Sequence, residues 1–104
     1  FEESSIAFLS PAQVEYLPNQ MFDLFINISS LHEMTHTQIE MWFGHIDRLC
    51  NKWFYTKQYI ETKNGFDNII IRQEDYPVRT HWLELLNRRN PIYHELFEAI
   101  YRVH

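Results

Sequence analysis

The chain has 104 residues, a net charge of −5, 45% apolar residues and 16% aromatic residues, which together indicate one small packed domain rather than a disordered segment. The negative charge and the lack of a basic run argue against nucleic acid as a partner, and no apolar run approaches the ~18 residues that span a membrane. Cys50 is the one cysteine, which rules out an internal disulfide and predicts a cytoplasmic location.

The amino-terminal third predicts two strands separated by a helical turn. Residues 6–9 form a short apolar run before Ser10-Pro11, and we expect a buried strand there. Residues 12–17 predict a helical turn that ends at Pro18-Asn19. Residues 22–29 alternate apolar and polar side chains, which is typical of a half-buried strand.

A helix is the strongest periodic signal in the chain. Apolar residues recur at helical spacing: Ile39, Trp42, Phe43, Ile46, Leu49 and Cys50. Thr35 and Gln38 have the spacing of a capping box, so the helix is predicted at about residues 35–50. A β-prone run follows at residues 53–56, and strand, helix and strand in succession favour a parallel crossover.

The second half contains shorter signals. Asn64-Gly65 predicts a turn, and residues 69–71 form a β-prone run. The spacing of Trp82, Leu83, Leu85 and Leu86 predicts a short helix. Residues 96–103 are ambiguous between strand and helix, and we favour a strand.

His32-Glu33-Met34-Thr35-His36 satisfies H-E-x-x-H, a pattern in which two histidines on one helix face bind zinc and the glutamate activates a water. The end of the preceding strand and the capping box at Thr35 place His32 in a loop instead. Gln38 stands where such helices usually carry an apolar residue, and no third ligand has a characteristic spacing. We therefore predict no metal site, and a zinc hydrolase that uses His32, Glu33 and His36 remains an alternative.

A second set of polar residues follows the predicted strands. In open parallel sheets, ligands bind beyond the carboxyl ends of the strands. If the first three strands are parallel, three groups converge at one edge: Ser10, Pro11 and Gln13; Asn27, Ser29, Ser30, Leu31, His32 and Glu33; and Thr56, Lys57, Gln58 and Tyr59. His32 or Glu33 could act there as a base for an alcohol, although both could equally cap the helix, and Lys57 could be a solvated lysine.

One series of residues is similar to class I S-adenosylmethionine-dependent methyltransferases: Leu17-Pro18, then Phe22-Asp23 at the start of the apolar strand, then Leu31-His32 after that strand. In that fold such a series spans the third and fourth strands. A narrower resemblance is to the sugar O-methyltransferases. It rests on residues 27–34, 54–58 and 97–102, and on Asp75-Tyr76-Pro77-Val78 with Trp82. The resemblance covers nearly the whole chain.

The resemblance implies an α/β fold, namely the C-terminal half of a Rossmann-like methyltransferase. That fold has three layers and a mostly parallel sheet with a C-terminal antiparallel strand, so residues 1–104 would be a single partial domain. S-adenosylmethionine is the implied cofactor, and a sugar-like hydroxyl is the implied acceptor. The implied cofactor-binding residues are Ser10, Pro11, Gln13, Asn27, Ser29, Ser30 and Leu31. His32 and Glu33 are the catalytic candidates, and Lys57 and Gln58 are the candidates for binding the acceptor.

The glycine-rich first loop and the acidic ribose-binding residue of the family have no counterparts in this sequence, so we expect the chain alone to be inactive. In the family fold, the first two strands separate the third from the fourth. Without them, the strand at residues 22–29 becomes an exposed edge, which favours self-association or continuation in a longer chain. A non-catalytic dimeric interaction module is the third hypothesis.

Overall fold

The computed structural model describes residues 6–104. Its strands are β1 (Phe22–Ile28), β2 (Cys50–Tyr59), β3 (Glu61–Lys63), β4 (Ile70–Arg72), β5 (Leu83–Arg89) and β6 (Leu96–Arg102). One α-helix, α1 (His36–Leu49), joins β1 to β2. Three 3-10 turns complete the structure: η1 (Pro11–Tyr16), η2 (Leu31–Glu33) and η3 (Gln73–Asp75).

The main sheet has four strands in the order β1-β2-β6-β5. β1 and β2 are parallel, whereas β6 runs antiparallel to both of its neighbours, β2 and β5. Three strands therefore point in one direction, and the last strand of the chain lies reversed between two of them. The predicted α/β class and the parallel pairing of β1 with β2 through a helix are confirmed. β3 and β4 form a separate two-stranded hairpin.

Helix α1 covers one face of this sheet. Thr35 is its N-cap, and the predicted capping box is present: the Thr35 hydroxyl accepts a hydrogen bond from the Gln38 amide at 3.2 Å, while the Gln38 side chain accepts one from the Thr35 amide at 3.0 Å. The buried face of the helix consists of Ile39, Phe43, Ile46 and Leu49. The sequence predicted this helix to within one residue at each end.

Aromatic rings fill the space between α1 and the sheet. Phe43 stacks on Trp82 with ring centroids 5.9 Å apart and meets Phe54 edge-to-face at 5.8 Å. Tyr76 and Tyr101 complete the cluster, and burial raises the pKa of each phenol to about 12. Such pairs add about 0.5–1.5 kcal/mol each beyond area burial, so this cluster contributes to the stability of the domain.

The opposite face of the sheet carries exposed apolar side chains. Leu24, Ile26 and Ile28 of β1 are 54%, 53% and 53% exposed, and Trp53 of β2 is also exposed. Within residues 6–104 the protein therefore has two layers, so the three-layer arrangement predicted from the resemblance is not present in this part of the chain. None of the helices in residues 6–104 is long and apolar enough to cross a membrane.

Two predicted elements are wrong. Residues 6–9 form no strand and pair with neither free edge of the sheet, and Ile6 and Phe8 are 75% and 95% exposed. The helix predicted from Trp82 is instead strand β5. A bulge between Glu84 and Leu86 interrupts the alternation of β5. The bulge allows a strand to form from leucines whose spacing in the sequence is helix-like. The strand predicted at residues 96–103 is confirmed as β6.

Candidate functional site

The loop that follows β1 is held at both of its ends. Ser29 adopts a left-handed backbone conformation with φ of 51°, and its amide donates a hydrogen bond to the Lys57 carbonyl at 2.7 Å, which extends the β1–β2 pairing by one residue. A serine in this conformation costs on the order of 1 kcal/mol. Leu31, the first residue of η2, is buried in the core. The loop therefore has a fixed path even though it turns sharply at the edge of the sheet.

A network of side-chain hydrogen bonds lies beneath the loop. The Gln58 amide nitrogen donates to the Asn27 side-chain oxygen at 2.8 Å and to the Thr56 hydroxyl at 3.0 Å. The Ser30 hydroxyl donates to the same Asn27 oxygen at 2.8 Å. Gln58 is fully buried, so it positions Asn27 from below and does not line the open cleft beside η2.

His32 and Glu33 lie on η2, at the mouth of a cleft of about 390 Å³. The His32 ring meets the Tyr59 ring edge-to-face at 5.1 Å, and its Nδ1 is buried without a hydrogen-bond partner among residues 6–104. Glu33 is exposed. The two catalytic candidates are therefore adjacent and accessible from one cleft.

The other wall of the cleft is the β3–β4 hairpin, which contributes Thr62, Lys63, Asn64 and Phe66. The Asn64 side chain accepts a hydrogen bond from the Phe66 amide at 2.9 Å and so fixes the turn. Sequence reasoning missed these residues as site candidates. The signals that could have found them are the Asn64-Gly65 turn and the β-prone run at residues 69–71, which together predict a hairpin.

Lys57 lies on the other face of the sheet from Gln58, because successive side chains of a strand alternate between faces. Its ammonium group is 5.8 Å from the centre of the Tyr93 ring. Beside it, Glu98 accepts hydrogen bonds from Arg88 at 2.7 Å and from the Tyr55 hydroxyl at 3.0 Å. The Arg88 bond holds the pKa of Glu98 below its usual value, although burial opposes the shift. The two predicted acceptor-binding residues are thus not brought together.

Ser10, Pro11 and Gln13 do not join the loop after β1. All three are exposed. The Ser10 amide donates a hydrogen bond to the Gln13 side-chain oxygen at 2.8 Å, and the Gln13 amide donates one to the Ser10 carbonyl at 3.0 Å. The turn η1 that contains Gln13 is bound by Arg48, whose guanidinium donates to the Val14 carbonyl at 2.9 Å. Arg48 is at the carboxyl end of α1, near the start of β1. The predicted convergence of these three residues with the loop is therefore wrong.

The H-E-x-x-H residues do not share a helix. His32 lies on η2, whereas His36 is the first residue of α1, after the N-cap Thr35. The His36 Nε2 atom lies 3.3 Å from the Ile70 carbonyl. The described part of the chain contains no group of three or more His, Cys, Asp or Glu side chains that could hold a metal ion.

Comparison with known proteins yields no protein-family model that matches the chain and no curated protein with a significant match.

Of the residues that the resemblance assigns to S-adenosylmethionine, only those of the loop at residues 27–31 lie together. Ser10, Pro11 and Gln13, which would flank the adenine, lie elsewhere. Residues 6–104 therefore do not form a complete site for this cofactor.

Proposed function

We propose that the chain is the carboxyl-terminal half of an S-adenosylmethionine-dependent O-methyltransferase whose acceptor is a sugar-like hydroxyl. The sheet order carries this proposal. The resemblance implies a mostly parallel sheet with an antiparallel C-terminal strand, and β6 is the one reversed strand in the order β1-β2-β6-β5. The loop at the carboxyl end of β1 is also the position at which open parallel sheets bind ligands.

The cofactor would supply an electrophilic methyl group, so the protein would need only to align the acceptor and remove its proton. His32 and Glu33 are suited to the second task because both line the cleft at the end of β1. Asn27 is suited to hold the cofactor beside the aligned acceptor, because two donors fix its side chain. We assign the proton acceptor to this pair of residues, and Gln58 is a positioning residue that acts through Asn27.

A nuclear magnetic resonance titration of the chain with S-adenosylhomocysteine tests the proposal. We expect weak binding that shifts amide signals of residues 27–33, and adenosine alone should leave these signals unchanged. Asn27→Ala should abolish the shifts, whereas Asn51→Ala, an asparagine at the start of β2, should preserve them. Shifts that occur only outside residues 27–33, or none at saturating ligand, would show that the loop is not a cofactor site.

Self-association through β1 is the second candidate function, and the exposed face of β1 favours it. On one side β1 pairs with β2, and on its other side no strand of residues 6–104 lies against it. Two copies could pair the free edges of their β1 strands across a two-fold axis, which would place Leu24, Ile26 and Ile28 of both copies side by side on one face of the joined sheet. In sedimentation experiments we expect a dimer that Ile26→Lys converts to monomer, whereas Ile92→Lys, at an exposed loop position, should have no effect. A wild-type monomer at high concentration would reject this candidate.

A further inference from the structure

We propose that the cleft between η2 and the β3–β4 hairpin binds an acidic sugar, that is, a monosaccharide that carries a carboxylate or a phosphate. Lys63 would bind the anionic group, Glu33 would accept a hydrogen bond from a hydroxyl, and Phe66 would cover the apolar face of the sugar ring. This inference rests on the proposed function, because it names the acceptor class of the same site.

The dimensions of the cleft suit a small polar ligand. Its volume of about 390 Å³ lies at the lower end of the ~300–1,000 Å³ found for small-molecule sites. Its six lining residues include an imidazole, a carboxylate, an ammonium group, a hydroxyl, an amide and one aromatic ring. This lining favours a ligand with several hydroxyl groups and one apolar face over a purely apolar ligand.

The pairing register of the hairpin leaves the charge of Lys63 available. Glu61 lies opposite Arg72, and the two side chains form an ion pair at 2.7 Å. Lys63 lies opposite Ile70, which has no charge to offer. Among residues 6–104, no carboxylate lies within ion-pair distance of Lys63. Within the same range, no basic group lies within ion-pair distance of Glu33. One free cation and one free anion therefore line the same cleft.

The two charges determine how an acidic ligand would bind. Its anionic group would be attracted by Lys63 and repelled by Glu33, so only one orientation satisfies both. In that orientation, the hydroxyl groups of the ring face Glu33 and His32, the two catalytic candidates. A neutral sugar lacks the attraction to Lys63 and has no such preference.

Phe66 provides the apolar contact. Its side chain is fully exposed at the tip of the hairpin, and the hydrogen bond from its amide to Asn64 fixes the turn beneath it. Exposing a phenylalanine forgoes about 1.5–3 kcal/mol of burial energy, so an exposed ring on the wall of a polar cleft is a candidate contact for a ligand. The C–H groups on one face of a sugar ring are the complementary surface.

The experiment is a nuclear magnetic resonance titration of the whole chain with three probes: glucuronate, glucose 6-phosphate and glucose. We expect the acidic probes to shift amide signals of residues 62–66 and 32–33. Glucose should bind about tenfold more weakly, because it lacks one charge-assisted contact. If only one acidic probe binds, that result identifies the anionic group as carboxylate or phosphate. If neither probe shifts residues 62–66, the proposal is overturned.

Variants separate the roles of the residues. Lys63→Met should abolish the preference for acidic probes, and Lys63→Arg should keep it. Lys52→Met is the matched control: it removes an exposed lysine from β2 and should leave binding unchanged. Phe66→Ala should weaken all three probes, whereas Phe8→Ala, which also removes an exposed ring, should not. A preference that persists in Lys63→Met would overturn the role of this residue. Since binding of S-adenosylhomocysteine is read at residues 27–33 in a separate titration, failure of the sugar to bind does not affect that test.

Discussion

Replacing Gln58 with alanine should destabilise the domain more than any other substitution of a polar side chain in the site. The change removes a fully buried amide that donates to the Asn27 side chain at 2.8 Å and to Thr56 at 3.0 Å. Loss of donors to buried acceptors costs about 1–3 kcal/mol, and the space left behind adds to that cost. Removal of the Gln58 side-chain oxygen, which is buried without a hydrogen-bond partner among residues 6–104, offsets part of this cost. We therefore expect the free energy of unfolding to fall by about 1–3 kcal/mol.

Urea unfolding followed by fluorescence measures this change, and a double-mutant cycle with Asn27→Ala isolates the interaction. The coupling energy between the two sites should be about 1–2 kcal/mol. Gln73→Ala is the matched control, since its amide also donates a 2.8 Å hydrogen bond, to Asn87, but at the surface, and should cost less than about 0.5 kcal/mol. If Gln58→Ala and Gln73→Ala cost the same, or if the coupling energy is zero, then the network does not fix the loop.

Three further predictions concern the helix and its ends. Thr35→Ala should destabilise the domain by about 1 kcal/mol in urea unfolding, since it removes the N-cap, whereas Thr35→Ser should not. Hydrogen bonds from Trp82 and His81 outweigh burial and lower the pKa of Asp47. The stability that Asp47 contributes is therefore complete above the unfolded pKa of about 3.9 and is lost as pH falls through the lower folded value. The cost of Asp47→Asn should accordingly shrink in acid. Arg48→Ala should release η1 and speed its amide exchange, while a result equal to wild type would refute the bond to the Val14 carbonyl.

The sequence was sufficient to predict β1, α1 and β2 because each of them is determined by local chemistry. The alternation from Phe22, the cap at Thr35 and the helical spacing of Ile39 and Phe43 need no tertiary partner to be recognised. Strand β5 could not be predicted in this way. Its leucines have helix-like spacing in the sequence, and a strand accommodates that spacing only through the bulge at residues 84–86 in its pairing with β6.

The candidate site was predicted in part. The loop after β1 follows from the strand end and the helix cap, so His32 and Glu33 were placed correctly on it. The separation of Lys57 from Gln58 also follows from sequence, since neighbouring residues in a strand face opposite sides. By contrast, the cleft depends on how the β3–β4 hairpin packs against η2. No local pattern determines that packing, because the contact joins segments about thirty residues apart.

The exposed face of the sheet constrains any surface that covers it, whether a second copy or a further part of the same protein. The β1 side of this face is apolar, with Ile26 about half exposed. Across the sheet, near the carboxyl end of β2, the same face carries Lys57 and the buried Glu98, which Arg88 holds in its charged form. A uniformly apolar cover would bury these charges at a cost of several kcal/mol each. A cover that binds tightly must therefore be apolar over β1 and offer polar partners over β2 and β6. A second copy that packs its own β1 face over this surface meets the requirement only if its contact ends before it reaches Lys57.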